Sequence, residues 1–353
     1  MLTNKLRAAR NKAGLSLREL EAKIDKRVSA QAIGKYERGE MQPTPEVLDI
    51  LANSLGVQSS YLTSPSTIEL ESIEFRENKI RNRTDEKIVE STIAQRLSHY
   101  AEIEELLGLS GGDWDKPRQS PFPIRDFSDA EAAARRVRRD WGLGNDPISN
   151  FSEFLEERGI KIISSTLPQT IAGVTCFAIR DFFKIPVIVT SNSITGERQR
   201  FTLAHELAHL LLDFECCSVD IEKACDKFAG AFLMPERILW ESFGKSRRSI
   251  SVGELIEVKS ILGVSVQAVA FRAKDLGIIN QYTYRSLYAE FSKRGWLKPP
   301  YKEPKLLELE KACRFERLCL RALAEGIIKI EKASELLNIS TECVESMFNG
   351  LDT

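Results

Sequence analysis

The sequence predicts a multidomain chain: an all-α N-terminal domain (1–65), a helical linker (66–125), an α+β domain with a small sheet (126–280) and an α-helical C-terminal region (281–353). Three observations carry this reading. Legible start and stop signals cut residues 1–62 into short helices. Three β-branched apolar runs between 159 and 190 lead into helices that carry polar pairs four residues apart. Beyond 281, apolar residues recur at helical spacing. A length of 353 residues with 42% hydrophobic content is enough for two or three domains with cores of their own. No apolar run approaches the ~20 residues of a membrane helix, and Met1-Leu2-Thr3-Asn4-Lys5 lacks a signal-peptide core, so a cytoplasmic protein with no membrane partner is expected. Seven cysteines, odd in number and without zinc-ribbon spacing, read as reduced thiols, with Cys313 and Cys319 in the core.

In the first domain, Leu2, Leu6 and Ala9 mark one helix face, and Gly14 ends that helix. Ser16 and Glu19 form a capping box ahead of Leu17, Leu20 and Ile24. Thr44 and Pro45 open a helix whose face is Val47, Leu48, Leu51, Ala52 and Leu55, closed by Gly56. Between them, residues 29–39 have only Ile33 and Tyr36 as strong apolar anchors, the pattern of a recognition helix. Together with Arg10, Glu37, Arg38, Gly39 and Pro43, this resembles the helix-turn-helix of the xenobiotic-response-element class of bacterial and phage repressors. The resemblance implies a double-stranded DNA operator as partner and a structural Arg10–Glu37 pair. Ser29, Gln31, Ala32 and Lys35 would then face the major groove, where Gln pairs with adenine and Ala meets a thymine methyl. Arg38 and Lys5 suit phosphate contacts. Ten basic against seven acidic residues over 1–62, in a chain of net charge −1, make the electrostatic footprint local and weak, so a protein-docking role is the alternative.

A linker starts at Thr63. The charge-rich stretch 68–109, with Ile80, Ile88, Ile93, Leu97 and Leu106, predicts one or two long helices that fit solvated arms and a homodimerising pair equally well. His99 in this stretch is not expected to bind metal. A break follows from Gly111 to Pro123.

The α+β domain is expected to open with helices over Ala130–Trp141 and Phe151–Arg158, then strands around 159–163, 172–179 and 185–190. Next comes His205-Glu206-Leu207-Ala208-His209, which holds two of the three histidines of the chain, in a Gly- and Pro-free helix over 201–212. Residues four apart on a helix differ by roughly 40° in azimuth, so both imidazoles can bind one ion, while Glu206, roughly 100° from His205, is left to act as general base. A second helix, from Asp220 to a stop near Pro235, brings Glu222 and Asp226, again four apart. Glu222 can be the third ligand and Asp226 can accept a hydrogen bond from a ligand imidazole. A structural site closed by Cys216, Cys217 or Cys225 is the competing reading.

Arg200 to His209, followed by Glu222, Asp226, Phe228, Ala229, Phe232, Leu233, Met234 and Pro235, resembles the ImmA/IrrE family of zinc metallopeptidases, as does Gly263–Gly277. Ala208 stands where the family often has Gly, and Cys225 where it often has Ala. The resemblance implies a gluzincin-like, zincin-type fold, with His205, His209 and Glu222 as zinc ligands and Glu206 as catalytic carboxylate. It also implies a protein substrate, a partner repressor whose cleavage releases its operon. A His/His/Glu set does not separate Zn2+ from Mn2+. The combined expectation is a DNA-binding transcriptional regulator with a site-specific zinc endopeptidase domain. The alternative is a non-catalytic regulator or antitoxin with a structural or ligand-sensing zinc fold. The sheet ahead of the site offers an edge strand for an extended peptide, and the oxyanion-stabilising group, a Tyr or Arg, is not identified.

Beyond 281, helices are expected over Leu306–Ala324 and Ile330–Phe348 around Gly326. Residues 331–344 faintly resemble another helix-turn-helix, read here as a packing or partner-binding module.

Overall fold

The computed structural model describes residues 5–7, 9–10, 13–57, 59, 62, 68–71, 83–109, 114–168, 171–180, 183–299 and 301–350. Leu2, Ile80, the linker start Thr63–Thr67 and the glycines at 111–112 lie outside these residues, as does the side chain of Ile88.

The N-terminal unit follows its caps. Residues 5–7 and 9–10 are helical. They are followed by α1 (Leu17–Lys23), α2 (Ala30–Arg38) and α3 (Pro45–Leu55). Ser16 and Glu19 close the capping box of α1, Ser29 caps α2, and Thr44 with Pro45 starts α3. Leu6, Leu20, Ile33, Tyr36, Leu51 and Leu55 form one small core. Lys5, expected at phosphate, is instead 2% exposed and sits within this unit, so it offers no ammonium to DNA.

The sheet of the α+β region has the order β1-β4-β5-β3. Its strands are β1 (Ile68–Glu71), β3 (Lys161–Ser165), β4 (Gly173–Arg180) and β5 (Phe183–Ser191). β3 runs parallel to β5, whereas β4 is antiparallel to both β5 and β1. Side chains alternate along β5: Val187 and Val189 join the core on one face, Ile188 the core on the other. The sheet is therefore covered on both sides, by α4 (Arg83–Leu106) on one and by the helices of the site on the other. A two-stranded parallel pair, β2 (Phe122–Pro123) with β6 (Leu212–Asp213), ties the entry of the domain to the end of the site helix.

The stretch expected as a helical linker differs from that expectation. Residues 68–71 form a sheet strand rather than a helix, paired with Phe177–Arg180. Nor is α4 a solvated arm. Val89, Ile93 and Leu97 pack on the sheet, and Tyr100 and Ile103 pack on the C-terminal helices. The charges of the stretch hid this apolar stripe, and one of those charges bonds inward: Glu104 is buried and takes Lys161, Arg180 and Arg314 as partners.

Two layers of helices complete the domain. On the site side lie α5 (Phe127–Asp140), α6 (Phe151–Glu157), α7 (Gly196–Leu211), α8 (Ile221–Leu233), α9 (Glu236–Phe243), α10 (Val252–Leu262), α11 (Val266–Asp275) and α12 (Gln281–Lys293). The C-terminal helices are α13 (Arg314–Ala324), α14 (Ile330–Leu337) and α15 (Thr341–Phe348). The helix expected from Leu306 begins only at Arg314, because the preceding residues run extended across the N-terminus of α7. Gly196 N donates to Leu307 O, Leu307 N to Glu197, and Glu310 N to Gln199. A Cβ on Gly196 would stand 2.2 Å from Glu308 O, so the crossing requires glycine there. The helix expected over 330–348 is broken at Asn338 (φ 58°) and restarts after the Ser340 cap. Cys319 is in the core as expected, whereas Cys313 is half-buried at the start of α13. Among the described residues no helix is long and apolar enough to cross a membrane.

Removing one partner of a buried charge cluster strands the others, which costs about 3–5 kcal/mol. Glu104→Ala leaves Lys161 and Arg180 buried without their carboxylate. It is expected to lower the unfolding free energy by about that amount in urea titration. A loss under about 1 kcal/mol, the range of a surface pair, would contradict the assigned role.

Candidate metal centre and nucleic-acid interface

The site is built on α7, which starts at the Thr195 cap, five residues earlier than the sequence pattern indicated. Arg200, Thr202, His205 and Glu206 are all buried on this helix, and each needs a partner in the protein. Arg200 donates to Ile148 O at 2.6 Å and pairs with Glu310. Glu206 receives Thr175 Oγ1 from β4 at 2.8 Å, and the same hydroxyl lies 3.2 Å from Glu206 O. Strand and helix approach so closely here that a Cβ on Gly173 would fall 2.4 Å from Thr202 Cγ2 and 3.2 Å from Glu206 Oε1.

α8 supplies the opposing wall. Asp220 caps it, so Glu222 falls in its first turn and Asp226 one turn later on the same face. Asp226 Oδ1 lies 2.7 Å from His205 Nδ1. A carboxylate there fixes the tautomer and leaves Nε2 as the ligating atom. His205 Nε2 has no hydrogen-bond partner among the described residues and faces Glu222 Oε2 at 3.7 Å. The Glu222 side chain is 43% exposed and stands at the mouth of the site. Donor atoms of His205, His209 and Cys225 lie within 4.8 Å of one another, and Cys225 Sγ is 3.8 Å from His209 Nδ1. Nitrogen, sulfur and carboxylate oxygen are the donors zinc takes, and a buried, unbonded imidazole nitrogen at their centre fits a metal ion.

His205, Glu206, Glu222 and Asp226 line a cleft of ≈ 670 Å³. Tyr284, Tyr288 and Tyr301 line it as well. Burial, with Tyr288 nearby, raises the Tyr284 phenol above its ordinary value, so the phenol stays protonated and able to donate. The structure thus brings together His205, His209, Glu206, Glu222 and Asp226. The sequence reading missed Thr175 and Gly173, although a hydroxyl within the apolar run 172–179 was a signal for the first. Cys216 is exposed and Cys217 donates to Val219 O at 3.3 Å, so of the three cysteines considered only Cys225 joins the cluster. His99 is remote from the cluster, its Nδ1 3.0 Å from Leu336 O.

In the N-terminal unit, Gln31 and Lys35 project from α2 into solvent and Ala32 is half-buried. The Ser29 hydroxyl oxygen caps α2 by accepting from Ala32 N at 3.2 Å. Arg38 is exposed and pairs with Glu40 at 2.6 Å, a contact weak enough to exchange for a phosphate. Arg10 forks onto both oxygens of Glu37, at 2.6 and 2.9 Å, and donates to Leu15 O, joining the first helical segment to α2. The Glu37 hydrogen bond, outweighing burial, raises the Arg10 guanidinium further above its already high value.

Residues 155–274 match the peptidase-family model described as IrrE N-terminal-like domain, and residues 6–62 match the helix-turn-helix model. No curated protein matches the chain. Residues 6–62 are thus similar to helix-turn-helix domains, and residues 155–274 to IrrE-type peptidase domains.

Gly173→Ala forces α7 away from β4, against a Thr202 methyl that is stiff at χ1. Overpacking of this kind costs about 1–3 kcal/mol in denaturant unfolding. Gly253→Ala, in the first turn of α10 with nothing nearer than Ser251 Oγ at 3.9 Å, should be neutral or stabilising. Equal effects of the two substitutions would contradict the close approach.

Proposed function

We propose that this fusion of a helix-turn-helix with an IrrE-type peptidase domain is a DNA-binding transcriptional regulator carrying a zinc-dependent site-specific endopeptidase. Its proposed substrate is a partner repressor or other regulatory protein. The observation that carries the reading is the placing of Glu206: a buried carboxylate beside the His205/His209 pair, oriented by Thr175, in the lining of a cleft of ≈ 670 Å³.

His205, His209 and Glu222 would hold the ion, with Asp226 orienting His205 through Nδ1. Zinc bound there would supply Lewis-acid polarisation of the scissile carbonyl. Glu206 takes a proton from the attacking water as the carbon–oxygen bond forms, then delivers it to the amine nitrogen as the carbon–nitrogen bond breaks. A Tyr of the cleft is the proposed donor to the developing oxyanion, since Tyr284, Tyr288 and Tyr301 all line it. On β4, the pairing with β1 ends at Phe177, which leaves Gly173–Cys176, the end nearest Glu206, without an outer strand among the described residues. An extended substrate would add to that edge by main-chain hydrogen bonds.

The His205/His209/Cys225 convergence favours a second reading, a non-catalytic regulator or antitoxin with a structural metal. Glu206→Gln separates the two. Under the peptidase reading it keeps its metal and loses cleavage and regulation in cells, by a factor on the order of 10²–10⁴ in turnover. Unchanged regulation in the Glu206→Gln strain favours the non-catalytic regulator.

Ser29, Gln31, Ala32, Lys35 and Arg38 are proposed to meet the operator from α2 and its cap. Gln31→Ala is expected to cost about 1–3 kcal/mol on the operator and little on unrelated duplexes in a mobility-shift titration of the full chain. Equal loss on both would assign Gln31 to backbone contact, and no shift by the wild type would make the unit a protein-docking module.

A further inference from the structure

We propose that Cys225 is a sulfur donor to the same ion as His205 and His209, and that it closes, in the resting protein, the position the attacking water needs. The inference rests on the metallopeptidase reading above and adds to it a built-in latency.

Cys225 is fully buried, one turn along α8 from Glu222, and on the face that α8 turns to α7. Its Sγ lies 3.8 Å from His209 Nδ1, and the donor atoms of His205, His209 and Cys225 converge within 4.8 Å. Nitrogen and sulfur bound to one tetrahedral zinc, at ~2.1 and ~2.3 Å, stand roughly 3.6 Å apart. That separation is met if His209 takes the ion through Nδ1, the nitrogen that Cys225 already faces. His205 Nε2, on a residue only 9% exposed, has no hydrogen bond among the described residues. Two imidazoles, a carboxylate and a thiolate would make a complete four-donor set, the pattern of closed zinc sites rather than of catalytic ones.

The change between closed and open states is a ligand exchange without electron transfer. On closing, the Cys225 S–H proton leaves to solvent as the sulfur–metal bond forms; on opening, that bond breaks and the sulfur regains a proton. Glu222, half-exposed at the mouth, remains to hold the ion with the two histidines once the sulfur has left.

The test uses cobalt(II) in place of zinc, loaded into the full-length apo protein and followed by absorption spectroscopy. Wild type is expected to show a sulfur-to-cobalt charge-transfer band in proportion to bound cobalt, kept in Cys216→Ala and Cys217→Ala. The band should vanish in Cys225→Ala and in the volume-matched Cys225→Ser, with cobalt still bound in both. Azide, a small anionic probe for an open position, should then shift the visible bands of Cys225→Ala and leave those of wild type unchanged. Cobalt bound by wild type without the band overturns the proposal and leaves the peptidase reading standing. A band that survives Cys225→Ala, or an equal azide shift in both proteins, overturns it as well. Failure of wild type to bind cobalt at all would remove the metallopeptidase reading beneath it.

Discussion

A helix buried nearly all round that nevertheless carries Glu197, Gln199, Arg200, Thr202, His205 and Glu206 sets the terms for the surrounding structure. A polar group taken out of water costs on the order of 1–3 kcal/mol when it is left unbonded. α7 can be buried only if other segments supply its partners. Lys259 of α10 meets Glu197, the extended residues 307–310 serve Glu197, Gln199 and Arg200, Thr175 of β4 serves Glu206, and Asp226 of α8 serves His205. Among the atoms of α7 that stay without a hydrogen bond is His205 Nε2, on a residue that lines the cleft. Where local satisfaction fails in a well-packed protein, function is the usual cause.

The same demand explains why segments far apart in sequence cannot be read as separate pieces. Glu310 accepts from Phe151 N and Ser152 N at the start of α6 while pairing with Arg200 of α7. It thereby joins the segment before the C-terminal helices to the site helix. Glu104 of α4 does the corresponding work on the other face of the sheet, joining β3, β4 and α13. α4 and the residues from 307 to α13 are thus structural parts of the domain that carries the candidate site.

Features encoded locally were legible in the sequence. The caps at Ser16 and Thr44 and the strands 161–165, 173–180 and 183–191 lie where propensity and spacing put them, and the Arg10–Glu37 pair lies where the helix-turn-helix resemblance put it. Helical periodicity alone was enough to put His205 with His209, and Glu222 with Asp226, on common faces. The long-range choices were not legible. Residues 306–313 have helical spacing, yet Gly196 and Gln199, more than a hundred positions away, hold them extended. Charge dominates the stretch 83–106, and only the sheet reveals that Ile93 and Leu97 face a core. Lys5 looked like a phosphate contact because no single-sequence rule predicts a buried lysine. Thr175 became a site residue only when the β4–α7 contact was in place, and the sequence did not separate Cys225 from Cys216 and Cys217.

The central claim is that the two histidines of α7 hold an ion that the rest of the chain is arranged to receive. Elemental analysis of purified wild type beside His205→Ala tests it most directly, because His205 belongs to every donor set the site can form. The account predicts about one equivalent of zinc per chain in wild type, the stoichiometry of a single mononuclear site, and a loss of most of it in the variant. Wild type without metal, or a His205→Ala protein that retains a full equivalent, would contradict it.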